Sequence, residues 1–231
     1  MSGEILNLKF VSVSNVRLRL DVPKGVIVTN FNGFPRSDVR NDSSEFTLGR
    51  IVKGVKKEAV FMIKLMPEKL YTQFDIGITL SFTDSTNSEI IINDKIIRQI
   101  NVVNRENDIN QQRNIDLSNI VVNTWHSWIL SNALSYNERG TYYAASDFLI
   151  EQKSLLEDYC FGLPGCEKLI YELEEAVLQI DKPMEIDEMK EALNLYNKRA
   201  RGEYEFRESY SIDRDIWSEI KKRIINKQSK V

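Results

Sequence analysis

His126, the only histidine in the chain, lies between Trp125 and Ser127 in a stretch whose apolar residues recur at helical spacing. A general base needs a nucleophile or an acid beside it, and the sequence identifies none there, so His126 reads as a structural histidine near a helix interface. Cys160 and Cys166 are the only thiols. Cys160 falls at the end of an expected helix, where the dipole disfavours a thiolate, which argues against an activated nucleophile. Phe161-Gly162-Leu163-Pro164-Gly165 separates the pair, and a turn there could bring the two within disulfide reach. With no secretory apolar region at the amino end and no further cysteine, two reduced thiols in a cytoplasmic protein are the expected state. Zinc would need more ligands, and His126 is remote in sequence.

Glu172, Glu174 and Glu175 suggest paired carboxylates. On a helix, Glu172 and Glu175 fall three apart on one face and read as a solvated pair, and no His or Asp cluster completes a metal site. The Gly49 to Gly54 segment lacks the Gly-Lys-Ser/Thr ending of a phosphate loop and opens no helix. No catalytic, cofactor-binding or metal-ligating residue is assigned on this basis, and the expectation is a protein that is not an enzyme and carries no cofactor.

The elements that would position these residues are of two kinds. Phe74, Ile76, Ile78, Leu80 and Phe82 alternate with Asp75, Gly77, Thr79 and Ser81, the period of a strand with one face in a core. Val16, Leu18 and Leu20 alternate in the same way with Arg17, Arg19 and Asp21. Further strands are expected over Val26–Phe31, Phe46–Ile51 with an interruption at Gly49, Ala59–Leu65 and Ile90–Ile97, with a polar loop from Pro35 to Glu45. This spacing predicts an immunoglobulin-like antiparallel β-sandwich over residues 1–100. Residues 101–116 form an Asn-rich connecting segment, expected to be a mobile crossing.

After that the period is helical. Helices are expected over Leu117–Asn137, Thr141–Cys160, Leu169–Ile180 and Ile186–Arg201, the first two forming an antiparallel hairpin in which Ala144 and Ala145 permit close approach. The helical domain spans 117–211, and an amphipathic helix closes the chain at 212–231. The fold class is therefore α+β and multidomain, a sandwich followed by an α-helical hairpin or bundle.

Among the 231 residues, 31 are Lys or Arg and 34 Asp or Glu, a net charge of −3 with both signs dispersed, which is not the footprint of a dedicated nucleic-acid binder. Lys53, Lys56 and Lys57 read as a solvated sheet edge that discourages further pairing. No apolar run approaches the roughly 20 residues needed to span a bilayer.

Val11-Ser12-Val13-Ser14-Asn15-Val16-Arg17-Leu18, Leu48-Gly49-Arg50-Ile51 with Lys53-Gly54, Glu58-Ala59-Val60, and Tyr142-Tyr143-Ala144-Ala145 resemble the region that follows the von Willebrand factor A domain in intracellular proteins of that type. The resemblance covers residues 7 to 200. It implies a β-sandwich followed by a helical segment with an Ala-rich hairpin, here without the metal-binding domain. Asp84-Ser85-Thr86-Asn87-Ser88 looks superficially similar to that domain's Asp-x-Ser-x-Ser loop, but another strand follows it rather than a helix, so it reads as a hairpin turn. The resemblance implies either the carboxyl-terminal part of a larger protein or a free-standing descendant of that part.

Functionally, the leading expectation is a non-enzymatic protein-interaction or regulatory module, with a protein partner or a second copy bound and a von Willebrand factor A domain among the partners the resemblance implies. The alternative is a nucleic-acid-associated accessory protein using the basic carboxyl-terminal region and the Arg/Tyr-rich stretch Arg199–Tyr210. Trp125 and Trp128, three apart on one helix, are expected in a core or interdomain seam. Ile216, Trp217, Ile220 and Ile224 form an apolar stripe that needs a partner, inside or outside the chain. Trp217, Ile220, Ile224, Tyr204 and Phe206 are the candidate partner-binding residues.

Overall fold

The computed structural model describes residues 11–40, 42–52, 56–65, 72–83, 89–109, 112–201, 216–220 and 222. The chain divides into two compact units, one of residues 1–30 and 34–112, the other of residues 31–33 and 113–231.

The first unit is built from β1 (Val11–Asp21), β2 (Ile27–Asn30), β3 (Arg36–Arg40), β4 (Ser43–Val52), β5 (Phe61–Lys64), β6 (Gln73–Thr83) and β7 (Glu89–Asn101). A five-stranded sheet has the order β3-β4-β1-β6-β7, and β2 pairs with β5 in a second sheet, every pairing being antiparallel. Val16, Leu20, Phe46 and Leu48 on the larger sheet meet Val28 and Phe34 in one core. The rings of Phe46 and Phe61, one from each sheet, are 4.7 Å apart. On β1 the intervening residues take the outer face, where Arg17 meets Glu45 at 3.7 Å and Arg19 meets Asp21 at 2.9 Å. That is the alternation expected of a half-buried strand.

Three sequence expectations change here. The segment expected as a polar loop from Pro35 to Glu45 contains strand β3, paired to β4 with Arg36 opposite Phe46. Its residues Arg36, Ser37 and Val39 are exposed, so an edge strand of this composition shows no apolar alternation. The strand expected at Phe46–Ile51 is longer, running from Ser43 to Val52, and the interruption expected at Gly49 is a register shift in its pairing with β1. Lys57, expected on a solvated edge, donates to the Leu48 carbonyl at 2.6 Å and sits over the Phe34 ring.

The described residues of the Asn-rich connection carry regular structure. Strand β7 continues to Asn101, and a short helix α1 occupies Arg105–Ile109. Asn104 accepts from the Asn107 amide at 2.9 Å, and Asn114 from the Leu117 amide at 3.0 Å. These side chains satisfy amides that the first turn of a helix leaves without partners, so the asparagines mark helix starts.

The second unit holds α2 (Ile115–Glu138), α3 (Tyr142–Cys160), α4 (Glu167–Ile180) and α5 (Ile186–Arg201), with residues 216–220 also helical. Helix α2 packs against α3, α4 and α5. Trp125, midway along α2, donates to Gln152 and meets the Tyr159 ring edge-on, while Tyr136 meets Phe148 further along, so α2 and α3 are antiparallel. Ala145 is buried in that hairpin, whereas Ala144, expected beside it, is exposed. The core of the unit includes Ile129, Leu130, Leu134, Leu149, Leu156, Leu173, Ile180 and Ala192. Phe31 and Asn32 are buried in the same unit; Phe31 stacks on Trp125 at 5.2 Å and leans on Trp128 at 5.0 Å. Asn32 donates to the Ala200 carbonyl at 2.6 Å, satisfying an acceptor in the last turn of α5. Asn137 does the same for Ile180 and Lys182 at the end of α4.

Candidate functional site

The sole histidine is buried at the meeting of α2, α4 and α5. His126 Nε2 lies 3.4 Å from Glu172 Oε2, and the hydroxyl of Tyr196 donates to Glu172 Oε1 at 2.5 Å. Arg199 approaches the same carboxylate at 3.8 Å and places its guanidinium over the Tyr196 ring. Burial, and then the positive charge of Arg199, lowers the His126 pKa to about 3, outweighing a backbone hydrogen bond with Leu169 that favours the charged ring. Glu172 accepts from the Tyr196 hydroxyl and lies near Arg199, while burial and the Arg199 charge keep the imidazole beside it neutral. A histidine at 1% exposure has no room for a substrate atom. This cluster is a polar knot joining three helices.

Glu172 and Glu175 were expected to be a solvated pair, yet each is only 6% exposed. The reason is that α4 is covered on more than one face: α2 and α3 pack on it, and Gln179 beside Glu175 reaches the backbone carbonyl of Trp217. A stripe read from α4 alone cannot show that second cover.

The accessible chemistry lies at the α3–α4 turn. Helix α3 ends at Cys160, and the chain reverses through Phe161, Gly162, Leu163, Pro164 and Gly165 to Cys166 at the start of α4. Gly162 and Gly165 have φ of +74° and +88°, values that side-chain-bearing residues rarely adopt, and the Leu163 amide donates to the Cys160 carbonyl at 2.8 Å. An open pocket of about 840 Å³ sits against this turn, with Leu163, Pro164, Ile170, Cys160 and Cys166 in its lining. Phe161, 85% exposed, and Tyr171, 52% exposed, also line it, together with Glu157, Glu167 and Glu174.

One cation tempers the acidic rim. Lys153 contacts Glu157 at 2.6 Å and Glu174 at 3.3 Å, and these hydrogen bonds, Glu157 first, raise its pKa. Because these are surface pairs, Lys153→Met is expected to cost less than about 1 kcal/mol of stability in a denaturant melt.

Both thiols are free and buried. The Cys160 pKa is pushed up to about 12, by burial first and then by Cys166. An activated nucleophile is the opposite of this. Among the described residues, no group of three or more His, Cys, Asp or Glu side chains is placed to hold a metal ion, and no helix is long and apolar enough to cross a membrane.

No protein-family model matches the chain, and no curated protein sequence matches it. Among solved structures, a von Willebrand factor type A protein from Catenulispora acidiphila is distantly similar, with 13% sequence identity and a TM-score of 0.45. The likeness covers 86% of this chain and 48% of that one, so the chain spans about half the length of the protein it matches.

Of the candidate partner-binding residues, Trp217 and Ile220 are buried, at 0% and 3% exposure, together with Ile216. Tyr204, Phe206 and Ile224 lie outside the described residues, as does the segment Asp84–Ser88 that was expected to be a hairpin turn. Arg199, the first cation of the basic aromatic stretch, is turned inward to Glu172. The exposed aromatics Phe161 and Tyr171 were not singled out from sequence. A signal for one of them was present: Tyr171 and Leu178, seven apart, fall opposite the stripe of Leu173, Ala176 and Ile180, and both are exposed.

Proposed function

We propose that this chain is a non-enzymatic protein-interaction or regulatory module that receives a partner at the α3–α4 turn. The observation that carries this reading is the exposure of Phe161 and Tyr171 on an open, largely apolar pocket. Large aromatic side chains held in water beside a concavity contribute more free energy when a partner covers them than when they stay solvated. The occupant is a protein segment with a bulky apolar anchor flanked by Lys or Arg. Its apolar part matches Leu163, Pro164 and Ile170, and its charge matches Glu157, Glu167 and Glu174, only partly neutralised by Lys153.

A von Willebrand factor A domain is one protein that could present such a segment, as the resemblance in sequence implies. Within this reading, the buried Trp217 and Ile220 hold the carboxyl-terminal segment in the helical unit, and Tyr204, Phe206 and Ile224 are further contact residues to be tested after the pocket.

A designed amphipathic helical peptide of Leu and Lys is a suitable probe, with its Leu/Glu counterpart as the control for charge. The Leu/Lys peptide is expected to bind the intact chain, and the double variant Phe161→Ser, Tyr171→Ser to weaken it at least about tenfold with an unchanged melting temperature. Equal binding by wild type and double variant, or equal binding of both peptides, would remove the pocket as the contact surface.

A further inference from the structure

We infer that the pocket at the α3–α4 turn recognises a trimethylated lysine side chain of its protein partner; this rests on the reading of the pocket as the partner contact and names the anchor that enters it. The spacing of residues along α4 builds most of the site. Glu167, Ile170, Tyr171 and Glu174 stand at i, i+3, i+4 and i+7, which is one face of a helix, and all four line the pocket. A carboxylate therefore lies about one turn before the Tyr171 ring and another about one turn after it. The Tyr171 hydroxyl donates to Glu175 Oε1 at 3.4 Å, which tethers that end of the ring while the residue stays 52% exposed. From the end of α3, Glu157 and Phe161 supply a third carboxylate and a second exposed ring to the same pocket.

An aromatic face attracts a cation, and does so more strongly as the cation sheds its water. A primary ammonium sheds water reluctantly and gives its hydrogen bonds to carboxylates instead, as Lys153 does with Glu157 and Glu174. A trimethylammonium has no N–H to satisfy. Its methyl groups pack on Leu163, Pro164 and Ile170, its charge meets the two rings, and the surrounding carboxylates supply a field of the opposite sign. The lysine stem adds apolar contact on the way in. The choline headgroup of a membrane lipid carries the same trimethylammonium but holds a phosphate beside it, which Glu157, Glu167 and Glu174 repel. A modified lysine brings no such anion.

The experiment titrates the full chain with fluorescent Ala/Lys peptides that differ at one central residue: lysine, trimethyllysine, its uncharged tert-butyl isostere, or leucine. Trimethyllysine is expected to bind at least about fivefold more tightly than each of the others. The double variant Phe161→Leu, Tyr171→Leu keeps apolar bulk and removes both ring faces, so it should abolish that preference; Glu167→Gln should reduce it. Equal affinity for trimethyllysine and its isostere, with both lost in Phe161→Ser, Tyr171→Ser, would overturn the inference and leave the pocket as the partner contact. A preference that survives the leucine double variant would place the cation elsewhere and overturn it as well. Failure of all four peptides would also overturn it, and the Leu/Lys helical peptide would then decide separately whether the pocket is a contact surface. Capture of phosphatidylcholine vesicles without peptide binding would assign the rings to a lipid headgroup and overturn the protein source.

Discussion

Truncating Phe31 to alanine is expected to lower the unfolding free energy by about 3–5 kcal/mol, the cost of removing a buried aromatic ring. Phe31 is 2% exposed, lies parallel to the Trp125 ring at an interplanar angle of 11°, and meets Trp128 as well. Its loss therefore opens a cavity against two other aromatics, and the neighbouring Asn32 bond to Ala200 is left without its packing support. Urea melting followed by tryptophan fluorescence measures the loss and reports the changed surroundings of both indoles in the folded baseline. Phe31→Leu should recover part of the stability by refilling some of the volume. A loss below about 1 kcal/mol for the alanine variant would mean that the three-ring stack contributes little.

Phe31 also shows where sequence reading stops. Its place at the end of an expected strand was legible from the apolar run Val26–Phe31 and the Asn32-Gly33 turn signal. The partners Trp125 and Trp128 lie almost a hundred positions away, and no local period connects them. The same limit explains Glu172. Its i,i+3 relation to Glu175 was visible, but the His126, Tyr196 and Arg199 side chains that meet it come from two other helices. Strands and helices with one covered face were legible because burial leaves a period of 2 or 3.6 in the residues. Strand β3 escaped because an exposed edge leaves no such trace. At the α3–α4 turn, the glycines, the proline and the cysteine spacing marked a reversal that could bring two thiols together. That Phe161, directly after the end of α3, stands in water follows only from what fails to cover it.

The buried knot makes a prediction about acid. His126 is neutral in the folded protein with its pKa lowered to about 3, against an ordinary value near 6.5 in the unfolded chain. Between these two pH values the unfolded state binds a proton that the folded state does not, so stability rises with pH across this window. The contribution is complete above about pH 6.5 and is lost progressively as pH falls toward 3. An overall loss of roughly 2–4 kcal/mol from this one residue is the expected scale. His126→Gln keeps a polar group facing Glu172 and removes the titration. Denaturant melts at pH 7.5 and pH 5 would compare the two chains. The wild type should lose more stability than the variant between those values, and the difference should vanish between pH 7.5 and pH 8.5. If both chains lost stability in parallel below pH 6.5, the carboxylates shared by the two would account for the acid sensitivity, and His126 would have to carry its proton in the folded state, as an ion pair with Glu172.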